Sequence, residues 1–232
     1  MAIRRLPWLV GTVTEVRAET ATARTIVFDV PGWGGHAAGQ HVDIRLTAPD
    51  GYSTQRSYSL AAPADGTRVE LMIQLLPDGE VSTFLVEDLL VGDEIELRGP
   101  IGGWFVWQPS DPAPVLLFAG GSGVVPLMAM IRARSLAGSN ANFRLVYSVR
   151  TRADAYYLDE LPKHGIGHSV LYTRQTGEGG RPPGRIGPED LPRFAAARIY
   201  VCGPTGFVEA VAKLLLDQGS DPATIRTERF GG

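Results

Sequence analysis

Residues 120–126 read Gly-Gly-Ser-Gly-Val-Val-Pro, between an apolar run and a helical pattern. Glycines there let backbone N–H groups face outward at a helix N-terminus, where the helix dipole favours a phosphate. Gly121, Ser122 and Gly123 are the residues that would hold it. Pro126 replaces the third glycine of a G-x-G-x-x-G pattern, and a proline in the first turn costs a helix little. The G-x-S-x-G pattern of a serine nucleophile fails, because Val124 stands two residues after Ser122. A glycine turn that merely joins strand to helix is the plainer alternative.

Arg56-Ser57-Tyr58-Ser59 is the second stretch. Strand alternation sends Arg56 and Tyr58 to one face and Ser57 and Ser59 to the other. Arginine beside an aromatic suits an anionic ligand with a ring; the alternative is an exposed edge with an Arg–Tyr stack. Gly79-Glu80-Val81-Ser82 is a second glycine turn before a helix, hence a second phosphate cradle or an ordinary capped start. Cys202-Gly203-Pro204 closes a predicted parallel strand, the end at which open α/β sheets bind ligands. A buried cysteine acting as a small hydrophobe reads equally well there. Thr227-Glu228-Arg229-Phe230-Gly231-Gly232 ends the sequence and would fray unless tied down. His164 and His168 are four apart, but Gly165 and Gly167 break any helix that would align them, so no metal site is expected.

The first half must position its residues on strands. Val10–Val16, Thr25–Val30, His41–Leu46, Ser57–Leu60, Val69–Leu75 and Glu94–Arg98 are strand candidates, with Val42, Ile44 and Leu46 on one face. One helix interrupts them, with Ser82 as its N-cap and Phe84, Leu85 and Leu89 at helical spacing. Short strands at regular spacing imply a small closed antiparallel barrel. Three prolines in residues 109–114 mark a boundary, giving domains 1–108 and 109–232.

The second half changes rhythm. Val115–Ala119 is a continuous apolar run, as in a buried parallel strand. A helix to about Arg134 follows, then strand Phe143–Val149, a short helix Tyr156–Leu161 and strand Ser169–Thr173. A helical turn Pro188–Leu191, strand Ile199–Cys202, helix Gly206–Asp217 and strand Thr224–Glu228 complete it. Strand alternating with helix predicts an α/β parallel sheet.

Composition narrows the function. The 232 residues are 44% hydrophobic and 20% charged, which excludes a disordered chain. No apolar run approaches the roughly 20 residues of a membrane span. A net charge of −3 gives no footprint for nucleic acid. One cysteine makes neither an internal disulfide nor the four-thiolate nest of an iron–sulfur cluster. Arg4-Arg5 invites a twin-arginine reading, but no apolar region or cleavage site follows, so a cytoplasmic protein is expected.

In order, R-x-Y-S, G-x-x-S, G-G-S-G-x-x-P, C-G-P and E-x-F make one ordered set. It resembles the ferredoxin–NADP reductase superfamily, and most of all the reductase components of bacterial oxygenases, along essentially the whole chain. The resemblance implies a flavin-binding barrel followed by a nucleotide-binding domain, with the site between them. Arg56 would pair with the pyrophosphate of FAD. Tyr58 would pack on the isoalloxazine, with Ser57 beside it, and Ser59 would hydrogen-bond near N5. Gly79, Val81 and Ser82 would cradle the FAD pyrophosphate, and Gly121, Ser122 and Gly123 the dinucleotide phosphates. Cys202, Gly203 and Pro204 would lie beside the nicotinamide. Glu228 and Phe230 match an acid and an aromatic near the flavin, although two glycines here follow Phe230. The catalytic set is thus Ser59, Cys202 and Glu228.

FAD is the expected cofactor, with FMN as the rival, and NADP(H) or NAD(H) the substrate. NAD sites of Rossmann type carry an acid at the end of the second strand; here Arg150 and Arg152 stand there and Arg174 ends the next strand, favouring NADPH. Hydride would pass to FAD, then single electrons to a separate ferredoxin, flavodoxin or oxygenase component. The lone cysteine, and a sequence ending just after E-x-F, are the grounds for a separate acceptor. Arg4, Arg5 or Arg45 would steer it to a monomeric reductase. A free-flavin reductase and a non-catalytic electron-transfer subunit are the alternatives.

Overall fold

A computed structural model of the chain describes residues 6–192 and 197–230. The chain divides into two compact units, Met1–Val106 and Trp107–Gly232. Arg4, Arg5, Gly231 and Gly232 lie outside the described residues.

The first unit is an antiparallel sheet of β1 (Leu9–Thr20), β2 (Ala23–Asp29), β3 (His41–Thr47), β4 (Ser53–Ser59), β5 (Arg68–Gln74) and β6 (Glu94–Ile101). Its order is β4-β3-β6-β1-β2-β5. The two edges meet just past β4, where Leu60 bridges Leu71 and the Ala61 N–H donates to Glu70 O at 2.8 Å. That contact rolls the sheet into the expected barrel. The alternation in β3 holds: Val42 and Ile44 are wholly buried and Leu46 packs against the same core.

Between β5 and β6, α1 (Glu80–Thr83) runs into a π-helical turn at Phe84–Asp88. The wider turn lets both Leu85 and Leu89 reach the core, closed by Leu89 N–H on Phe84 O at 3.0 Å. Ser82 is not the N-cap; Gly79 is. Ser82 lies inside the first turn, where its Oγ accepts from Leu76 N–H and donates to Gly79 O, both at 3.1 Å. A hydroxyl engaged in its own turn has no freedom to cap a later one.

The second unit is a parallel sheet of β7 (Val115–Gly120), β8 (Phe143–Val149), β9 (Gly167–Tyr172), β10 (Arg198–Pro204) and β11 (Ile225–Phe230), ordered β11-β10-β7-β8-β9. All six residues of β7 are buried, as its unbroken apolar run requires of a central strand. Helix α2 (Val124–Leu136) is buried almost all round, whereas α3 (Thr205–Asp217) buries only the stripe Val208, Val211, Leu215. The chain winds from β7 outward to β8 and β9, then returns to the other side of β7 as β10. The strand order therefore reverses between β7 and β10.

No helix forms at Tyr156–Leu161. Short 3-10 turns at Arg152–Asp154 and Leu161–His164 flank that stretch instead. The Tyr156 N–H donates sideways to the Tyr147 hydroxyl at 3.1 Å, and Tyr157 adopts a left-handed φ of 61°. Either departure ends a helix.

Candidate functional site

In the second unit, the sequence motifs converge where β7 and β10 end side by side. Open α/β sheets bind ligands at such a reversal, outside the carboxyl ends of the strands. A Cβ at Gly123 would run into the carbonyl oxygen of Cys202 and come within 2.8 Å of the Gly203 nitrogen. The start of α2 is thus pressed on the backbone of β10, which only glycine permits. Gly121 takes a left-handed φ of 54° to make the turn. No side chain caps α2 or the 3-10 turn Gly121–Gly123 that runs into it, and the Val124 N–H donates to Gly121 O within that turn. Ser122 is half-buried there.

A ring that the sequence reading passed over forms the floor. Cβ atoms at Gly120 and Gly203 would come within 2.7 and 2.8 Å of the Phe207 ring, so both strand ends lie flat on it. Phe207 stands three residues after Pro204, but only the adjacency of β7 and β10 reveals its role. Cys202 is fully buried between them. Burial pushes its thiol well up, and the Glu228 carboxylate, its register partner on β11, pushes the same way. It remains a protonated thiol at neutral pH. Phe230 pairs in register with Pro204 and is exposed at the end of β11.

Arg150, Arg152 and Arg174 gather past the ends of β8 and β9. The Arg174 N–H donates to Arg150 O at 2.9 Å, and the Arg152 N–H to Gln175 Oε1 at 3.1 Å. Their side chains are exposed, and none forms an ion pair among the described residues. The nearby acid, Asp154, is engaged by Thr151, whose N–H and Oγ1 donate to it at 2.9 and 2.6 Å.

In the first unit, β4 and α1 carry the other set and lie side by side, the Tyr52 hydroxyl reaching Glu80 at 3.2 Å. Arg56 is exposed, its guanidinium donating only to Gln55 O at 2.7 Å and Thr54 Oγ1 at 3.5 Å. Tyr58 is half-buried against the barrel core; burial pushes its phenol up to about 12, against the pull of Arg56. In register, Arg56 and Tyr58 face Ile44 and Val42, and Ser57 faces Asp43. Ser57 Oγ donates to Asp43 at 2.6 Å, and Arg98 holds the other carboxylate oxygen at 2.6 Å. Burial would raise Asp43, but the Ser57 hydroxyl and Arg98 outweigh it and hold it below the usual carboxylate range. Ser59 is half-buried opposite His41. The side chains of Val81 and Ser82 turn into the fold, leaving main-chain N–H groups as what that turn offers a ligand. No side chain caps Gly79.

These features fit the groups that the sequence implies. An exposed arginine with only local partners, a half-buried aromatic and an uncapped glycine turn suit FAD. An uncapped helix start on glycines suits a dinucleotide phosphate. Among the described residues no cluster of three or more His, Cys, Asp or Glu could hold a metal, and no helix is long and apolar enough to cross a membrane.

Comparison with known proteins agrees with this geometry. Residues 11–106 match the oxidoreductase FAD-binding domain and residues 117–213 the oxidoreductase NAD-binding domain. The chain is 31% identical over 207 residues to the propane 2-monooxygenase reductase component of Mycolicibacterium goodii, covering 83% of this chain and 58% of that protein. It is 32% identical over 234 residues to the glycine betaine monooxygenase reductase subunit of Chromohalobacter salexigens, covering 94% and 62%. The chain thus spans about six tenths of these relatives' length. A cytochrome P450 reductase of Amycolatopsis superposes with a TM-score of 0.84 at 27% identity, covering 97% of this chain and 70% of that one. The chain belongs to the FAD- and NAD-binding oxidoreductases of the ferredoxin–NADP reductase superfamily.

Proposed function

We propose that the chain is an NAD(P)H-dependent flavoprotein reductase serving a separate one-electron acceptor, which is an oxygenase component, a ferredoxin or a flavodoxin. The observation that carries this reading is the uncapped start of α2, pressed on Cys202 and Gly203 at the strand-order reversal. The same chain has a barrel whose Arg56 and Tyr58 suit a flavin, and its relatives bear the names of reductase components.

Bound FAD supplies the exchange between two-electron hydride chemistry and one-electron transfer. The protein's own work is binding and orientation. Arg56 would neutralise the FAD pyrophosphate, Tyr58 would pack on its ring and Ser59 would offer it a hydroxyl. Gly79, Val81 and Ser82 give main-chain N–H groups. Gly121, Ser122 and Gly123 hold the dinucleotide phosphates. Cys202, Gly203 and Pro204 bound the nicotinamide subsite, with Glu228 beside Cys202 in register and Phe230 beside Pro204. Arg150, Arg152 and Arg174 favour a 2′-phosphate, hence NADPH. The working form is a cytoplasmic monomer.

Mass spectrometry of the ligand released from the purified protein tests the cofactor. FAD is expected; FMN, or no flavin after supplementation, overturns the reading. Rapid reduction of free FMN, with every ferredoxin and flavodoxin from the source inert, turns it into a free-flavin reductase.

A further inference from the structure

The second unit has a cleft of about 400 Å³ away from the strand ends described above. It runs along β9, the edge strand of the parallel sheet, and is closed on the other side by the segment that leads to β10. Arg144, His168, Ser169, Arg181, Glu189 and Asp190 bring its polar groups. Arg144 is the second residue of β8. Ser148, the register partner of Gly120, comes four residues later, so the cleft and the glycine turn stand ~13 Å apart along the strand.

The two arginines of the cleft differ. Arg181 is committed: its Nε and Nη2 donate to the two oxygens of Asp190 at 3.1 and 2.7 Å, and the Gly187 N–H adds a third bond to that carboxylate at 2.8 Å. Arg132, elsewhere in the unit, holds Glu160 with the same two nitrogens, each at 2.7 Å. Arg144 has the same fork and no carboxylate. Among the described residues it forms no ion pair, and its side chain makes one long hydrogen bond, from Nη2 to Ser169 Oγ at 3.5 Å. Its Nε is buried without a partner. The side chain lies across β9, with Nη1 3.3 Å from where a Cβ on its register partner Gly167 would stand. Ser169 shares that face, being the partner of Val146 two residues after Arg144. The Glu189 carboxylate is turned to Gly187, where a Cβ would come within 2.5 Å of it, and does not pair with Arg144.

A guanidinium that is partly shut off from water, with no carboxylate to balance it, is unfavourable as it stands. An oxyanion on its open side removes that penalty, and charge-assisted bonds to arginine are among the strong ones. A planar fork beside a hydroxyl suits a carboxylate or a phosphate group. A cleft of this size takes a small metabolite.

We propose that this cleft binds a small anionic metabolite, whose carboxylate or phosphate group is held by Arg144 with the Ser169 hydroxyl as a second donor. The site stands apart from the flavin and dinucleotide sites and does not rest on either reading.

The test is a residue-resolved NMR titration of the isotope-labelled full chain, with inorganic phosphate and, separately, with succinate. At least one probe should shift the amides of Ser169, Val170 and Leu191 saturably, and the Arg144 Nε–H with them. Saturation by phosphate alone assigns a phosphate ester, by succinate alone a carboxylate, and by both the shared oxyanion chemistry. Arg144→Gln should weaken the effect at these amides at least tenfold while any shift at Gly121–Gly123 stays as in wild type. Ser169→Ala, which leaves every charge in place, should weaken it severalfold. No saturable shift in β9 with either probe overturns the proposal, whatever happens at the glycine turn. Equal affinity at these amides in wild type and Arg144→Gln, or in wild type and Ser169→Ala, also overturns it.

Discussion

Under the proposed function, Arg56 in the first unit and Cys202 in the second would serve ligand binding in two opposite ways. The Arg56 guanidinium is exposed and bonded only to its strand neighbours, so it holds no part of the barrel together. Arg56→Ala should leave the melting of the flavin-free protein nearly unchanged. It should weaken FAD by about 1.5–3 kcal/mol, the worth of a charged hydrogen bond, read as flavin lost on gel filtration. Cys202 is the reverse, fully buried and held protonated by burial and by Glu228. A thiol that ionises less readily in the fold than in the unfolded chain removes stability as pH rises past its ordinary value. The native protein should therefore resist alkylation at neutral pH and react only on unfolding. Cys202→Ser should slow flavin reduction in stopped flow while FAD content is kept. Native alkylation at the unfolded rate would contradict the burial, and reduction at the wild-type rate would remove Cys202 from the site.

The elements explain which glycines matter. Gly123→Ala drives a methyl into the Cys202 carbonyl where α2 meets β10, and neither backbone can yield. Overpacking of that kind costs about 3 kcal/mol, with loss of nucleotide binding. Gly121→Ala meets nothing within 4 Å and carries only the left-handed penalty, about 1–2 kcal/mol. Denaturant unfolding of the two variants should rank them in that order; the reverse order would mean the contact is not rigid. On the barrel, Asp43 holds β3, β4 and β6 together through Ser57 and Arg98. Its lowered pKa stabilises the fold above the ordinary aspartate value, and that contribution is lost as pH falls through the lowered one. Asp43→Asn should flatten the fall in thermal midpoint between pH 5 and pH 3, by about the range over which aspartates titrate. The strands were legible in the sequence because period-two alternation in β3 and the apolar run of β7 are local signals. The helix expected at Tyr156–Leu161 was not legible. Tyr156, Tyr157 and Leu161 are indeed buried, but the Tyr147 hydroxyl, nine residues away, takes the N–H that a helix needs. Phe207 escaped for the same kind of reason, since its meaning depends on which strands lie next to β7.

At the scale of the whole molecule, one chain carries a flavin-type barrel and a nucleotide-type sheet, and these 232 residues hold a single, buried cysteine. No iron–sulfur cluster can be built from it, so under the proposed function electrons would leave this stretch for a group held elsewhere. Docking with an electron-transfer partner is typically small and transient, so no stable complex is expected on gel filtration. On the proposed reading, the arginines past β8 and β9 would set the coenzyme. Arg150→Ala should lower the NADPH to NADH ratio of kcat/KM about tenfold, the scale of one charged hydrogen bond at an exposed site. An unchanged ratio would pass the role to Arg152 or Arg174. All of this depends on hydride from a pyridine nucleotide reaching a flavin held by this chain. The most direct test is anaerobic titration of the FAD-loaded protein with NADPH and, separately, NADH, followed in the visible flavin band. The account predicts stoichiometric bleaching, faster with NADPH, and recovery of the band when a one-electron acceptor is added. A flavin that stays oxidised with both nucleotides would contradict it, leaving a chain that binds the two ligands without passing electrons between them.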